Sequence, residues 1–202
     1  MRKKATYNLI MAGRDTGKST AVCRDVCIKD YLDNGHLFIR FFRKTGNVYD
    51  SADSWFDEFT TGGKFDCGHV ITYQDGKYYM DGKLFGETAI ISLSKNYRSA
   101  RFDPRIYNCV FDEYIGLSPD EYVDGEINKF KALLTTVFRH RPRRVWLLGN
   151  NYNEMSKYNP YHTYFGIDID RDKLKQGDIK VYKSSRFKNP ALIAFEFGRI
   201  AY

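Results

Sequence analysis

Residues 7–20 read YNLIMAGRDTGKST, and they carry the clearest indication of the fold class of this chain. An apolar run from Leu9 to Ala12 leads into the Gly-rich loop AGRDTGKS at residues 12–19. The loop matches the phosphate-binding pattern, with Ala12 in place of the usual first Gly. A chance match in an ordinary Gly-rich turn is the alternative. The strand before the loop and the helix after it favour a nucleotide-binding P-loop instead.

The residues of this loop have separate predicted roles. Gly13 and Gly17 let the backbone adopt positive φ angles and approach a ligand closely. Lys18 places a compact positive charge on the β- and γ-phosphates of ATP, and the hydroxyl of Ser19 is suited to Mg²⁺. The predicted nucleotide-binding residues are Gly13, Arg14, Asp15, Thr16, Gly17, Lys18, Ser19 and Thr20.

Amino-acid composition limits the classes of protein to which the chain can belong. The 202 residues fit one large domain, and a hydrophobic content of 43% excludes a disordered chain. The net charge of +7 suits a polyanionic partner such as nucleic acid. Four cysteines without a CxxC pair favour a reduced, intracellular protein, and four scattered histidines argue against a zinc site. No apolar run approaches 18 residues, so we expect no membrane span.

A second chemical motif lies at residues 106–114, IYNCVFDEY, where an apolar strand ends in an acidic pair. Asp112 is predicted to hold Mg²⁺, through water, beside Ser19. Glu113 is predicted to orient and deprotonate the attacking water. The alternative is that Asp112 caps a turn and Glu113 is solvated.

The remaining pattern predicts alternating helices and strands. Asn150, at the end of the strand 145–149, is predicted to contact the γ-phosphate or the water, or else simply to form a turn. The predicted helices cover residues 18–34 (stopped by Gly35), 49–60 and 126–138, and the predicted strands cover residues 36–42, 69–73, 77–80, 89–94, 145–149, 179–183 and 191–197. Two Asp-Gly turns, at 75–76 and 81–82, predict a β-hairpin insertion.

Together these elements predict an α/β fold of the P-loop NTPase class (ASCE type), with a mostly parallel sheet flanked by helices. Such a sheet binds its ligand at the carboxyl ends of the strands. An acidic residue beside Asp112 favours water as the nucleophile, and hence ATP hydrolysis coupled to work. Four basic residues near the strand ends are candidate contacts to DNA, although solvated surface charge is the alternative for each: Arg43, Lys44, Lys95 and Arg98.

The sequence resembles the DNA-packaging ATPases of small phi29-type phages. The resemblance rests on AGRDTGKST (12–20), KYYMDGKLFGETAIISLS (77–94), CVFDEY (109–114), KALLTTVFRHR (131–141) and Gly149-Asn150 followed by NPY (159–161). It covers about residues 6 to 166. It implies a Mg²⁺-dependent ATPase that translocates double-stranded DNA into a procapsid. It also implies Lys18 and Ser19 on the nucleotide and Mg²⁺, Asp112 on Mg²⁺ and Glu113 as the catalytic glutamate.

The resemblance also implies partners and a further catalytic residue. It implies a homo-oligomeric ring, a pentamer in this family, that docks on the portal of the procapsid in the host cytoplasm, with a packaging RNA as a further partner. It implies that residues 1–202 are a single ATPase domain without the nuclease-like C-terminal domain of the family. Arg139 would be an arginine finger. Because helix 126–138 is about 20 Å long, Arg139 should lie far from its own subunit's phosphates and serve a neighbour.

Two other functions remain open at this point. One is another P-loop motor that acts on nucleic acid, such as a helicase. The other is a nucleotide-gated DNA-binding module without useful turnover. Measurement of ATP turnover with and without duplex DNA, and of strand unwinding, separates these alternatives.

Overall fold

The computed structural model describes residues 6–12, 17–150, 159–165, 179–183 and 192–196. The strands in these residues are β1 Tyr7–Ala12, β2 Leu37–Phe42, β3 Ile71–Gln74, β4 Lys77–Met80, β5 Lys83–Ile90, β6 Ile106–Asp112, β7 Arg144–Asn150, β8 Ile179–Lys183 and β9 Leu192–Glu196. The helices are α1 Lys18–Val22, α2 Lys29–Asn34, α3 Thr45–Ser51, α4 Glu126–Phe138 and α5 Pro160–Phe165. A π-helical turn, Cys23–Ile28, joins α1 to α2 without a break.

Across the described ranges, the strands form one sheet in the order β3-β4-β5-β2-β6-β7-β1-β9-β8. Strands β5, β2, β6, β7, β1 and β9 are mutually parallel, and β4 and β8 pair antiparallel to their neighbours. The carboxyl ends of the parallel strands therefore meet at one edge of the sheet, which we call the carboxyl edge. The predicted α/β fold with a mostly parallel sheet is confirmed.

Both faces of the sheet are buried, and side chains alternate between the two faces along each strand. In β7, Val145 and Leu147 pack on one face, whereas Trp146 and Leu148 pack on the other. Helices α4 and α5 cover the first face, and the continuous helix 18–34 covers the second. Strands buried on both faces read as mostly apolar runs, and β2, β6 and β7 do so, although buried Arg40 interrupts β2 and buried Asn108 interrupts β6.

The helix after the Gly-rich loop has the predicted bounds. Gly17 precedes it at φ 78° and Gly35 follows it at φ 70°, and both angles lie in the left-handed region that glycine adopts readily. The π-helical turn widens the middle of this helix, where Cys23 and Cys27 are buried. Burial raises the pKa of both thiols well above the usual value, so they act as small core residues.

The predicted hairpins are present, but one strand prediction is wrong. Asp75 and Asp81, at φ 51° and 49°, begin two tight turns between antiparallel strands. Strand β5 then continues to Ile90 and pairs in parallel with β2, so it belongs to the main sheet. The predicted strand 89–94 is instead the end of β5 and a 3₁₀ segment, Ile91–Tyr97. The chain bends there because the backbone N–H of Ser92 donates to the carbonyl of Arg43.

The predicted helix 49–60 is also wrong in its bounds. Helix α3 begins earlier, at Thr45, because the side chain of Asn47 accepts a hydrogen bond from the backbone N–H of Lys44 at 3.0 Å and so caps this end. A 3₁₀ segment, Asp53–Phe56, follows. Phe56 and Phe59 are still buried, as the pattern predicted.

Helix α4 has the predicted bounds, and it connects the two edges of the sheet. Its first residue, Glu126, contacts Arg43 just after β2 ends, at the carboxyl edge. Its carboxyl end contacts the segment before β6, because Arg141 donates to the carbonyl of Pro104. The apolar face of α4 consists of Phe130, Leu133, Leu134, Val137 and Phe138.

The C-terminal strands predicted at 179–183 and 191–197 are present as β8 and β9. The predicted turn at Asn159-Pro160 is the start of α5, where the side-chain oxygen of Asn159 accepts a hydrogen bond from the backbone N–H of Tyr161 at 2.9 Å. In the part of the chain that the structure describes, no helix is long and apolar enough to cross a membrane.

Gly149 offers a test of the packing at the carboxyl edge. A Cβ atom at this position would lie 2.7 Å from Ile115 Cδ1 and 2.8 Å from Tyr114 Cε1, which is a clash. We expect Gly149→Ala to lower the free energy of unfolding by about 1–3 kcal/mol in urea titrations. The matched control is Gly46→Ala within α3, where nothing lies within 4 Å. The control should raise stability by about 0.5–1 kcal/mol, and equal effects of the two variants would contradict this packing.

Candidate nucleotide-binding site

Three parallel strands bring the predicted site residues together at the carboxyl edge. Strand β7 lies between β1 and β6, so Asn150 at its end is placed between the end of β1 and the acidic pair Asp112-Glu113. The Lys18 ammonium donates a hydrogen bond to Asn150 Oδ1 at 2.7 Å. Lys18 is buried, whereas Asn150 is partly exposed. This hydrogen bond holds the Lys18 ammonium at the carboxyl edge, where a bound phosphate group can contact it.

The second pair joins Ser19 to the acidic strand. The Ser19 hydroxyl donates a hydrogen bond to Asp112 Oδ2 at 2.8 Å, and Asp112 Oδ1 accepts one from the backbone N–H of Glu113 at 3.0 Å. A hydroxyl and a carboxylate oxygen at this spacing are hard ligands of the kind that Mg²⁺ prefers. Among the described residues, no three His, Cys, Asp or Glu side chains gather into a metal site. Mg²⁺ typically takes one or two carboxylates together with substrate phosphates, so Ser19 and Asp112 fit this ion.

The loop itself is only partly described. Gly13, Arg14, Asp15 and Thr16 lie outside the described residues, so their predicted contacts with nucleotide stay predictions. Gly17 at φ 78° and the helix that begins at Lys18 have the backbone geometry that a phosphate-binding loop needs. Thr20 is half-buried and lines the same cavity as Ser19.

Glu113 follows the acidic strand in an unusual backbone conformation. Its φ angle is 59°, in the left-handed region that non-glycine residues seldom adopt. Its side chain is exposed, and it lines the cavity that Ser19 and Asp112 also line. A carboxylate in this position, next to Asp112, can accept a proton from a water molecule at the site.

The cavity at this edge has a volume of about 470 Å³, within the range of small-molecule sites. Arg40 forms part of its wall and is 5% exposed. The Arg40 guanidinium lies 4.5 Å from the ring centre of Phe42 and 4.2 Å from that of Trp55, and it donates to the carbonyl of Ser51 at 2.7 Å. The other lining residues include Thr20, Cys23, Asn47, Glu58, Phe59 and Glu121.

The structure corrects the prediction that Arg43 contacts DNA. Arg43 is 7% exposed, and its guanidinium pairs with the buried carboxylate of Glu126 at 3.0 Å. A buried, fully engaged guanidinium is not available to a phosphate backbone. The other three candidates, Lys44, Lys95 and Arg98, are exposed.

Arg139 lies where the length of helix α4 predicted, at the edge of the sheet opposite the carboxyl edge. It follows α4 at φ 52° and is exposed. Its neighbour Arg141 contacts Phe138 and Pro104 instead. Arg139 therefore cannot reach the site formed by its own Lys18 and Asp112.

Sequence reasoning missed a buried polar cluster beneath Glu113, formed by Arg43, Glu126 and Tyr161. Glu126 is 3% exposed, and it accepts hydrogen bonds from Arg43, from the Tyr161 hydroxyl at 2.7 Å and from the backbone N–H of Val123 at 2.9 Å. Burial raises the pKa of the Tyr161 hydroxyl, so this group remains a donor. One signal was available in the sequence: Glu126 lies in phase with the apolar stripe of helix 126–138.

Comparison with known proteins identifies the family. The model of the family described as podovirus DNA encapsidation protein (Gp16) matches residues 1–199. The chain belongs to this family. No curated protein matches the sequence.

Solved structures of packaging proteins share the fold of this family member. The N-terminal domain of the DNA packaging ATPase from bacteriophage phi29 matches with a TM-score of 0.76 and 24% identity over 98% of this chain and 93% of that chain. The bacteriophage Phi-29 viral genome packaging motor assembly matches with a TM-score of 0.74 and 24% identity over 96% of this chain. The Phi-28 gp11 DNA packaging motor matches with a TM-score of 0.76 and 16% identity over 96% of this chain. This chain spans 54% and 57% of the chains in those two motors.

Proposed function

We propose that this chain hydrolyses ATP with Mg²⁺ and that the hydrolysis drives double-stranded viral DNA into a procapsid. The observation that carries the proposal is the pair of contacts at the carboxyl edge, Lys18 to Asn150 and Ser19 to Asp112, with Glu113 beside them. Membership of a DNA encapsidation family supports the biological role.

The loop residues Gly13 to Thr20 would bind the phosphates through backbone N–H groups and through the Lys18 ammonium. On nucleotide binding, the Lys18 ammonium would exchange its hydrogen bond to Asn150 for contacts with the β- and γ-phosphates. The Asn150 amide would then contact the γ-phosphate or the attacking water. When it is bound, Mg²⁺ held by Ser19 and Asp112 would neutralise the charge on the phosphate oxygens.

Glu113 would orient the attacking water and accept its proton. The water oxygen forms a bond to the γ-phosphorus as the bond from that phosphorus to the bridging oxygen of ADP breaks. The proton held on Glu113 then passes to the inorganic phosphate product, which returns Glu113 to its carboxylate form.

The proposed partners follow from charge and family. A net charge of +7 suits a polyanion, and exposed Lys44, Lys95 and Arg98 are the remaining candidates for contact with DNA phosphates. We further propose a homo-oligomeric ring, a pentamer by resemblance, docked on the portal of the procapsid in the host cytoplasm, with a packaging RNA as an additional component of the motor. The solved relatives include whole packaging motors, which supports an assembly of this kind.

The test is protection of DNA from nuclease. Purified chain is mixed with procapsids of the same phage, double-stranded DNA and ATP, and DNA that resists nuclease is measured. We expect protection with ATP and none with Glu113→Gln, which keeps the shape of the side chain and removes the base. Glu113→Gln should still bind Mg²⁺-ATP, whereas Asp112→Asn should weaken this binding.

Each other outcome identifies an alternative. Unwinding of a forked duplex with ATP, without protection, would indicate a helicase. Nucleotide-dependent DNA binding without any ATP turnover would indicate a binding module. Identical behaviour of Glu113→Gln and Asp112→Asn in the binding assay would show that the division of roles between these residues is wrong.

A mixing experiment tests the proposed finger role of Arg139. Arg139 lies at the edge opposite its own phosphate site, so it can stabilise the transition state only in a neighbouring subunit. Arg139→Ala and Glu113→Gln should each lose ATP hydrolysis by roughly 10³-fold or more. A mixture of the two variants should regain hydrolysis, because some sites then combine an intact Glu113 in one subunit with an intact Arg139 in the neighbouring subunit. Co-assembly without recovery would indicate the alternative, in which Arg139 is the C-cap of α4 and interacts favourably with the helix dipole.

A further inference from the structure

We propose that Arg43 is a positioning residue for Glu113. Together with Glu126, it fixes the backbone of residues 113–114 so that the Glu113 carboxylate projects into the cavity beside Asp112. This inference rests on the proposed function, in which Glu113 orients the attacking water.

The guanidinium of Arg43 is fully used within the protein. Its Nη1 donates to the carbonyl oxygen of Glu113 at 3.1 Å, and its Nη2 donates to that of Tyr114 at 2.9 Å. Its Nε donates to both carboxylate oxygens of Glu126, at 3.2 and 3.0 Å. The guanidinium also lies 4.8 Å from the ring centre of Tyr122. One side chain thereby connects the end of β2, the residues after β6 and the start of α4.

The backbone of Glu113 needs such support. A non-glycine residue at φ 59° occupies a sparsely populated region, and such a conformation persists only where the surroundings over-determine it. Here the Glu113 N–H donates to Asp112, its carbonyl accepts from Arg43, and the Tyr114 N–H donates to the carbonyl of Leu148 at 3.0 Å. Loss of the Arg43 contacts would free the two carbonyls, and Glu113 could relax toward a negative φ that redirects its side chain.

Glu126 in turn holds Arg43 in place. Its carboxylate is 3% exposed, and it accepts hydrogen bonds from Tyr161 and Val123 in addition to Arg43. A buried ion pair contributes little net stability, because desolvation of both charges offsets their attraction. A pair that adds little stability but holds two carbonyls next to a strained glutamate fits a positioning role.

Arginine is suited to this task because its planar group presents five N–H donors in fixed directions. A lysine at position 43 could keep the charge opposite Glu126, but its compact ammonium cannot also reach both carbonyls. Arg43→Lys is therefore the variant that tests positioning while it preserves the buried pair. Its matched control is Arg105→Lys, which changes the ion pair of Arg105 with Asp103 (2.7 Å) at the other edge of the sheet.

The first measurement needs no turnover. The Cα and Cβ chemical shifts of Glu113, measured by NMR, report whether its backbone has a positive φ. In Arg43→Lys they should move toward values of an ordinary extended or helical residue, and hydrogen exchange at the Tyr114 amide should accelerate. Arg105→Lys should leave both unchanged. Wild-type shifts and exchange in Arg43→Lys would overturn the inference.

The second measurement is kinetic. We expect Arg43→Lys to lower kcat for ATP by about 100-fold, the effect of misplacing a reacting group by about 1 Å. The Kd for Mg²⁺-ATP should change by no more than about threefold, because Lys18 and Ser19 are untouched. In a Glu113→Gln background, Arg43→Lys should add almost no further loss, since both variants disable the same group. Full additivity of the two losses would also overturn the inference.

The two proposals fail in distinguishable ways. If the wild type does not hydrolyse ATP, the proposed function fails, and the NMR comparison still decides the role of Arg43. If the wild type hydrolyses ATP and Arg43→Lys keeps its kcat, only the inference fails. Should Arg43→Lys not fold, Tyr161→Phe replaces it. That variant removes one hydrogen bond to Glu126, and we expect about fivefold lower kcat with the same non-additivity; unchanged kcat would then count against the inference.

Discussion

The hydrogen bond from the Ser19 hydroxyl to the Asp112 carboxylate is the contact on which the rest of the site depends. It joins two motifs that lie 93 positions apart in the sequence. Strand β7 separates β1 from β6, so the two strand ends stand about 9.6 Å apart, two strand spacings. This gap is wide enough for a phosphate group and a cation, and narrow enough for Ser19 and Asp112 to meet across it. Asn150, at the end of β7, lies between them and contacts Lys18.

Burial of the sheet on both faces explains why the polar groups gather at its edge. Helix 18–34 covers one face, and α4 and α5 cover the other, so the interiors of β2, β6 and β7 have almost no place for an unpaired polar side chain. Asp112 and Asn150 stand where their strands leave the core. Behind them, the pair of Arg43 and Glu126 is buried but fully hydrogen-bonded. The polar groups of the site thus contact the buried polar cluster of Arg43, Glu126 and Tyr161, through the bonds from Arg43 to the backbone after β6.

The sequence predicted the parts of this arrangement that have local signals. The loop at 12–19, the acidic end of β6, the bounds of α4 and the two Asp-Gly turns all follow from residue types at short spacing. The burial of Arg43 and its pairing with Glu126 could not be predicted in this way. Glu126 lies 83 positions later, and a basic residue after a strand is usually exposed. The segment 89–94 is apolar like a strand, but a 3₁₀ segment begins at Ile91, where the backbone N–H of Ser92 donates to the carbonyl of Arg43. Tertiary contacts of this kind leave no local pattern.

A crystal structure of the chain with Mg²⁺ and a slowly hydrolysed ATP analogue would show whether nucleotide binds at the carboxyl edge. The β- and γ-phosphates should contact the Lys18 ammonium, and the ion should lie about 2.1 Å from Ser19 Oγ, close to Asp112 and in front of the Glu113 carboxylate. The Ser19 hydroxyl should then have exchanged its hydrogen bond to Asp112 for the ion. A nucleotide bound elsewhere, or phosphates out of contact with Lys18, would contradict a P-loop site at the carboxyl edge.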